Sequence, residues 1–211
     1  MRTLVIECAT EACSVALFEG EACLAHWHEV IGRGHAERLV PAIAALPGNG
    51  RADRILVSLG PGSFTGVRIG LAAARALGLA WGAPVRGYPT MALVAAMGRA
   101  AHPGQPATVC MTGGHGEWFV QDFAHDGLPE HDVLSLTPEI ARARQRKYLV
   151  IGTKACDCLE GEGLAIDLLP DAREALLVPD SLLTDALAPI YGRPPDAKLP
   201  QHVQRKAREG A

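Results

Sequence analysis

Short apolar runs fill the first 30 residues and are interrupted by polar or glycine breaks at Thr10-Glu11 and at Glu19-Gly20-Glu21. They predict three strands, Thr3 to Ala9, Cys13 to Phe18 and Ala22 to Val30, whose short connections make an antiparallel meander. The period then lengthens. Leu39, Val40, Ile43 and Leu46 share one stripe of a helix predicted from about Gly34 to Leu46, which Pro47-Gly48-Asn49-Gly50 ends. Arg54-Ile55-Leu56-Val57-Ser58-Leu59 reads as a buried strand, and a glycine-rich loop joins it to a helix from Gly66 to about Trp81. A short strand at Val85 to Gly87 and a helix over Met91 to Ala101, with Thr90 as its N-cap, complete the order βββαβαβα.

The periodic signal lapses at His102-Pro103-Gly104-Gln105-Pro106, which marks the domain boundary. Beyond it the pattern begins again. Thr108 to Thr112, Glu117 to Ala124 and His131 to Leu136 read as strands, Thr137-Pro138-Glu139 opens a helix, and Tyr148 to Gly152 reads as a buried strand. The pattern therefore predicts a first lobe at 1–104, a smaller second lobe at 105–190 and a tail at 191–211, of which Lys198 to Ala211 is expected to be a basic, frayed end. Beyond Asp167 the many prolines leave room only for short elements. A repeated βββαβ unit predicts an α/β fold of two ribonuclease-H-like lobes around a cleft.

At 211 residues and 48% hydrophobic composition, the chain can bury a core large enough for one domain or two lobes. Six dispersed cysteines without a Cys-x-x-Cys pair, and an N-terminal apolar run broken at Glu7, predict a reduced, cytoplasmic protein. Arg75 and several glycines interrupt the longest apolar stretch, so no membrane role is expected. A net charge of −3 with 5% aromatic residues offers neither a broad basic surface nor a stacking platform, so any RNA contact needs another chain.

Three constellations could carry chemistry. Gly60-Pro61-Gly62-Ser63-Phe64-Thr65-Gly66-Val67-Arg68-Ile69-Gly70 joins a strand to a helix N-terminus, where Ser63 or Thr65 can cap, and such a loop can hold an anion or a partner. It has neither the Gly-Lys-Ser/Thr ending of a P-loop nor the Gly-x-Gly-x-x-Gly spacing, and a structural turn explains it equally. Arg68 could meet an anion or a partner carboxylate, or simply be solvated. His26, His28 and His35 form no metal motif, because Leu39 stands four residues after His35; exposed histidines are the expectation. Cys156-x-Cys158 has no companion pair. Glu7 sits where a two-lobed phosphotransferase carries a first-strand aspartate for Mg²⁺, but no glycine follows it. The corresponding second-lobe turn, Met111 to Glu117, has glycines and no carboxylate before Glu117, and Ser63 lacks a Gly-x-Ser-x-Gly elbow. The helix at 66–80 carries apolar or small residues on more than one face, including Val67, Leu71, Ala74, Leu77 and Leu79. It fits either deep burial or a helical interface of roughly 800 Å² per partner.

Ile6-Glu7-Cys8-Ala9-Thr10-Glu11-Ala12-Cys13-Ser14-Val15-Ala16-Leu17 and the glycine loop, continued by Gly87-Tyr88-Pro89-Thr90, Gly116-Glu117-Trp118 and Ala188-Pro189-Ile190-Tyr191-Gly192-Arg193-Pro194-Pro195, resemble the bacterial TsaB (YeaZ) family along essentially the whole chain. The resemblance implies an actin-like ATPase fold without catalysis of its own. It implies a subunit that dimerises with and activates a TsaD-like catalytic subunit, which forms N6-threonylcarbamoyladenosine at position 37 of ANN-decoding tRNAs. It further implies a homodimer when that partner is absent, docking of a TsaE-like ATPase on the pair, and tRNA contact only through the complex. By the motif match the partner helices are His35 to Leu46 and Gly66 to Ala80, with His35, Leu39, Val40, Ile43, Val67, Arg68, Leu71, Ala74 and Arg75 at the interface. Glu7, Thr10, Gly60, Gly62, Ser63, Thr65 and Gly66 would form any remaining phosphate or nucleotide loop. No metal and no cofactor of its own are implied, with weak nucleotide binding left open. Glu7 replaces the usual Asp, Thr112-Gly113-Gly114 replaces the usual Asp-Ala-Arg, and the chain is short near its C-terminus, where TsaE would be met. The rival readings are an ATP-dependent kinase or ATPase of the same superfamily and, less well supported, a glycoprotease-like hydrolase.

Overall fold

In a computed structural model, residues 1–192 are described, and they build two five-stranded sheets. The tail expected at 191–211 therefore lies outside the described residues from 193 onward, as does the end of the motif at Arg193-Pro194-Pro195. The first sheet contains β1 (Arg2–Glu7), β2 (Ala12–Glu19), β3 (Ala22–Val30), β4 (Arg54–Ser58) and β5 (Val85–Tyr88), in the order β3-β2-β1-β4-β5. The second contains β6 (Ala107–Thr112), β7 (Trp118–Phe123), β8 (Leu134–Leu136), β9 (Leu149–Ile151) and β10 (Leu164–Ile166), in the order β10-β9-β6-β7-β8. Each sheet is thus the same arrangement of three antiparallel strands followed by two parallel ones. In both, the first strand is central, paired antiparallel with the second and parallel with the fourth. Central strands are covered on both faces and must be apolar throughout, which is why β1, β2 and β6 read as runs rather than alternations.

Helices α1 (His35–Ala45) and α2 (Phe64–Trp81) cover the outer face of the first sheet, while α4 (Pro138–Ala143) and α5 (Ala155–Cys158) cover the outer face of the second. Helix α3 (Thr90–Ala100) fills the space between the sheets. Its Met91, Leu93, Val94 and Ala95 share one core with Val5, Leu56 and Tyr88 from the first sheet and with Val109, Phe119, Phe123 and Ile151 from the second. The two lobes are therefore joined by a common apolar layer.

The structure moves several boundaries. α2 begins at Phe64, two residues before the predicted start, because Ser63 supplies the cap. Thr90 is the first residue of α3 rather than its cap; its hydroxyl is buried and paired with Ser58 at 2.6 Å. β8 is shorter than predicted because His131 is drawn out of the strand toward Asp122. After β9 the chain adds α5 and β10, three or four residues each, too short for periodicity to reveal.

Past two 3₁₀ turns, Ala172–Leu177 and Asp180–Leu182, the chain returns to the first lobe as a strap. Thr184 bridges Gly87, Arg86 donates to the Leu183 carbonyl at 2.9 Å, Arg75 donates to the Leu187 carbonyl at 2.7 Å, and the Ile190 amide donates to the Leu59 carbonyl at 2.8 Å.

The second lobe is pinned by a buried carboxylate. Asp122 accepts from Thr108 Oγ1 at 2.6 Å and Arg144 Nη2 at 2.5 Å, with His131 Nε2 at 3.1 Å. Burial alone would raise this carboxyl, but the bonds from Arg144, Thr108 and His131 outweigh it and hold the group below its ordinary value. A depressed folded value means that the contribution is complete above the unfolded value of about 3.9 and is lost as pH falls through the folded one. Asp122→Asn should therefore cost about 1.5–3 kcal/mol in urea unfolding at pH 7. That gap should narrow steadily once the titration passes below about pH 4, and a gap that is constant down to pH 2 would contradict the assignment.

Candidate functional site: the interlobe cleft and the outer helix face

The turn between β1 and β2 organises this end of the molecule. Glu7, the last residue of β1, is fully buried and accepts a hydrogen bond from the Ala9 amide at 2.7 Å and another from the Tyr88 hydroxyl at 3.2 Å. Burial pushes its carboxyl up to about 7, and these donors only partly offset that. The carboxylate expected to face phosphates or Mg²⁺ is turned inward and consumed by its own turn. Thr10 Oγ1 likewise accepts from the Ala12 amide at 3.2 Å.

The glycine loop is shaped by the same turn. A Cβ on Gly62 would lie 1.9 Å from the Ala9 carbonyl oxygen, and one on Gly66 would lie 2.0 Å from that of Cys8. Backbone meets backbone there, so no side chain fits. The Ser63 amide donates to the Ala9 carbonyl at 2.7 Å, and Ser63 Oγ caps α2 by accepting from the Gly66 amide at 3.2 Å. Ser63, not Thr65, is thus the cap. The glycines answer to the chain's own turn, which accounts for their departure from nucleotide-binding spacings.

Between the lobes lies a cleft of about 400 Å³. Of the residues proposed as a phosphate loop, Thr10, Gly62 and Ser63 line it; Glu7, Gly60, Thr65 and Gly66 do not. The opposite wall is Thr112-Gly113-Gly114, His115 and Thr153, with Thr153 Oγ1 accepting from the Thr112 amide at 3.0 Å. Glu11 is the only carboxylate among the described lining residues, which include no lysine, arginine or aspartate. No three His, Cys, Asp or Glu side chains converge as a metal site among the described residues.

On the outer face, the predicted partner residues separate into two groups. His35, Leu39 and Ile43 of α1 and Val67, Leu71 and Ala74 of α2 are buried against the first sheet. These six side chains cannot meet a partner. The apolar stripe legible in the sequence is the one that the protein's own sheet covers. His35, expected to be exposed, is buried with Nε2 2.9 Å from the Thr10 carbonyl oxygen and 3.3 Å from that of Ala12, so it ties α1 to the organising turn. His26 is exposed and His28 half-buried.

What α1 and α2 show to solvent is a second apolar face. On α1, Ala36, Val40 and Ala44 repeat every four residues; on α2, Ala72, Ala76 and Leu79 do nearly the same. Val40 is 59% exposed and Leu79 is 88% exposed. Arg68 and Arg75 are exposed as well, but the strap holds both: Arg75 through the Leu187 carbonyl, and Arg68 by donating to the Tyr191 hydroxyl at 2.8 Å while lying 3.6 Å from the centre of the Phe64 ring. Neither the Phe64–Arg68–Tyr191 stack nor the strap was anticipated. Arg68 and Tyr191 are 123 residues apart, and no local pattern joins them.

A family model described as TsaD, tRNA N6-adenosine threonylcarbamoyltransferase, matches residues 28–129, a span that includes α1, α2 and α3. The tRNA threonylcarbamoyladenosine biosynthesis protein TsaB of Escherichia coli is 29% identical over 92% of this chain and 95% of its own length. The protein of the same name from Haemophilus influenzae is 40% identical over 98 residues, covering 44% of this chain and 40% of that protein. Over nearly its whole length the chain is similar to TsaB (YeaZ) proteins. Among solved structures, YeaZ from Pseudomonas aeruginosa is similar with a TM-score of 0.75 and 24% identity, covering 90% of this chain and 99% of that one. A second Pseudomonas aeruginosa structure, of an uncharacterized protein with similarity to peptidase YEAZ, gives 0.73 and 26% over 91% and 99%. With these the two sheets take the actin-like, ribonuclease-H-like fold that the duplicated strand order anticipates.

Two predictions follow from the turn. Gly66→Ala should destabilise by about 1–3 kcal/mol, because a methyl cannot be placed against the Cys8 carbonyl without moving backbone. Thr65→Ala beside it should stay within about 0.5 kcal/mol; equal effects in denaturant unfolding would refute the packing account. Glu7 has a raised folded value, so its contribution is complete below the unfolded value of about 4.3 and is lost as pH rises through about 7. Glu7→Gln should therefore leave stability at pH 5 little changed and gain about 1–3 kcal/mol at pH 8. A gain independent of pH would contradict this.

Proposed function

We propose that this chain is a partner-binding subunit in the biosynthesis of N6-threonylcarbamoyladenosine in tRNA, and that it acts without catalysis of its own. In this reading it docks on a TsaD-like catalytic subunit through the outer face of α1 and α2, activates that subunit, and pairs with a second copy of itself when the subunit is absent. A TsaE-like ATPase joins the assembled pair, tRNA is met through the complex, and the setting is the cytoplasm, where the tRNA is. The observation that carries the proposal is the contrast between two surfaces. One is a solvent-facing apolar strip on paired helices, with Val40 and Leu79 standing clear of the core. The other is a cleft whose described lining includes no lysine or arginine for a phosphate and whose neighbouring first-strand carboxylate is sealed inside.

The name carried by the relatives supports the pathway, and the TsaD-type match across α1 and α2 supports a helix pair of shared ancestry with a catalytic partner. Helices bearing alanine at four-residue spacing permit close axial approach, which suits an interface of roughly 800 Å² per partner. No helix among the described residues is long and apolar enough to cross a membrane. The kinase or ATPase alternative asks the cleft to neutralise a triphosphate and hold Mg²⁺, and the described lining residues other than Glu11 and His115 carry no ionisable group fit for either task. Among the described lining residues, weak nucleotide binding would rest on backbone amides, hydroxyls and His115.

The test is association with the cognate TsaD-type protein, measured by calorimetry or size exclusion. Val40→Asp and Leu79→Asp change exposed side chains, so each should fold normally and weaken the heterodimer by at least about tenfold, some 1.4 kcal/mol. Leu39→Asp is unsuitable as a probe, since it places a charge in the core. Full affinity in the double variant would overturn the assignment of the surface.

A further inference from the structure

The turn that organises the site also holds two thiols in contact. Cys8 and Cys13 are both buried, and their sulfurs are 3.6 Å apart. Their juxtaposition is set by the sheet. β1 and β2 pair antiparallel, with Glu7 opposite Ser14, and one further step along that register places Cys8 opposite Cys13. Residues opposed in this way have Cα atoms about 4.5–5.5 Å apart, inside the roughly 4.4–6.8 Å that a disulfide spans. The sulfurs need approach by only about 1.5 Å to bond. Nothing in the phosphate chemistry or the partner surface uses either thiol.

We infer that Cys8 and Cys13 form a thiol–disulfide exchange site, closed by a low-molecular-weight disulfide of the glutathione class. Cys13 is the attacking group. The hydrogen bond shared with Cys8 lowers its thiol below the ordinary value, and nearby Arg38 assists against burial and the charges of Glu7 and Glu29. Cys8 is pushed well above its ordinary value by the same bond and by burial, so it stays a thiol until called on to resolve. The Cys13 thiolate attacks one sulfur of the small disulfide, forming a mixed disulfide and releasing one small thiolate. Cys8 then loses its proton to that thiolate and attacks the Cys13 sulfur, releasing the second small thiolate, which takes up from solvent the proton that Cys13 gave up. The net change is two protein thiols and one small disulfide giving one protein disulfide and two small thiols. Ala9, Thr10 and Glu11, which lie between the two cysteines, line the cleft, and the reagent approaches from that side.

The bond would tighten the element on which both helices are seated, since the carbonyls of Ala9 and Thr10 between the two cysteines hold Ser63 of the α2 cap and His35 of α1. Oxidation is thereby coupled to the helix pair.

The experiment treats the purified full chain with oxidised glutathione and maps the products by mass spectrometry. The expected product is lighter by about 2 Da, the mass of two hydrogens, with the link located by fragmentation between residues 8 and 13 and reversed by dithiothreitol. In Cys8→Ser, a single glutathionyl adduct should accumulate on Cys13. Amide exchange at the start of α1 and α2 should slow by about tenfold in the oxidised chain. The inference is overturned if Cys8 and Cys13 both remain available to alkylation after unfolding while only the exposed Cys23 and Cys156 react, if the adduct on Cys13 never resolves in the native chain, or if exchange at both helix starts is the same in the two redox states.

Discussion

The molecule depends on the close approach of three backbone segments at one six-residue stretch, Cys8 to Cys13. Its carbonyls at Cys8 and Ala9 leave no room for a Cβ at Gly66 or Gly62, and its carbonyls at Thr10 and Ala12 meet the His35 ring. Glu7 closes the stretch from beneath by accepting from the Ala9 amide. Because main-chain groups buried from water must find partners, this network fixes where α1 and α2 begin and how they lie on the first sheet. Ser63 caps the first turn of α2, and the His35 ring ties the start of α1 to the same stretch.

Those contacts explain why the cleft presents so little for a phosphate. The elements that could have cradled an anion, a glycine loop and a helix start beside a first-strand carboxylate, are spent on one another. What remains unspent is outside. The two helices need only one stripe each to cover the sheet, and the opposite stripe of alanines with Val40 and Leu79 has no counterpart within the described residues. The strap from Leu183 to Gly192 adds to this economy by holding Arg68 and Arg75, which leaves the apolar strip bordered by arginines already engaged.

Much of the architecture was legible in residue pattern. Strand and helix order, the repeat of the βββαβ unit and a cap at Ser63 or Thr65 all follow from period, turn chemistry and cap preference, because those signals are local. The inward carboxylate was partly legible: Glu7 in an otherwise apolar strand is either functional or sealed, and only the tertiary position of Tyr88 decides between the two. Six of the nine residues read as partner contacts lie on the buried stripe. Periodicity finds the most apolar face of a helix, and for His35, Leu39, Ile43, Val67, Leu71 and Ala74 that face belongs to the core. Val40, named with them, and Leu79, not named, are the apolar residues that stay exposed. The Phe64–Arg68–Tyr191 stack and the Asp122 network join distant segments, so no sequence window could hold them.

The claim at the centre is that the outer strip of α1 and α2 meets a partner while the cleft is left uninvolved. Hydroxyl-radical footprinting of the chain, alone and with its TsaD-type partner, reads this side chain by side chain. The account predicts that oxidation of Val40 and Leu79 falls sharply in the complex while His115 and Met111 in the cleft stay as reactive as before. Unchanged labelling at Val40 and Leu79, with protection concentrated at the cleft, would contradict it.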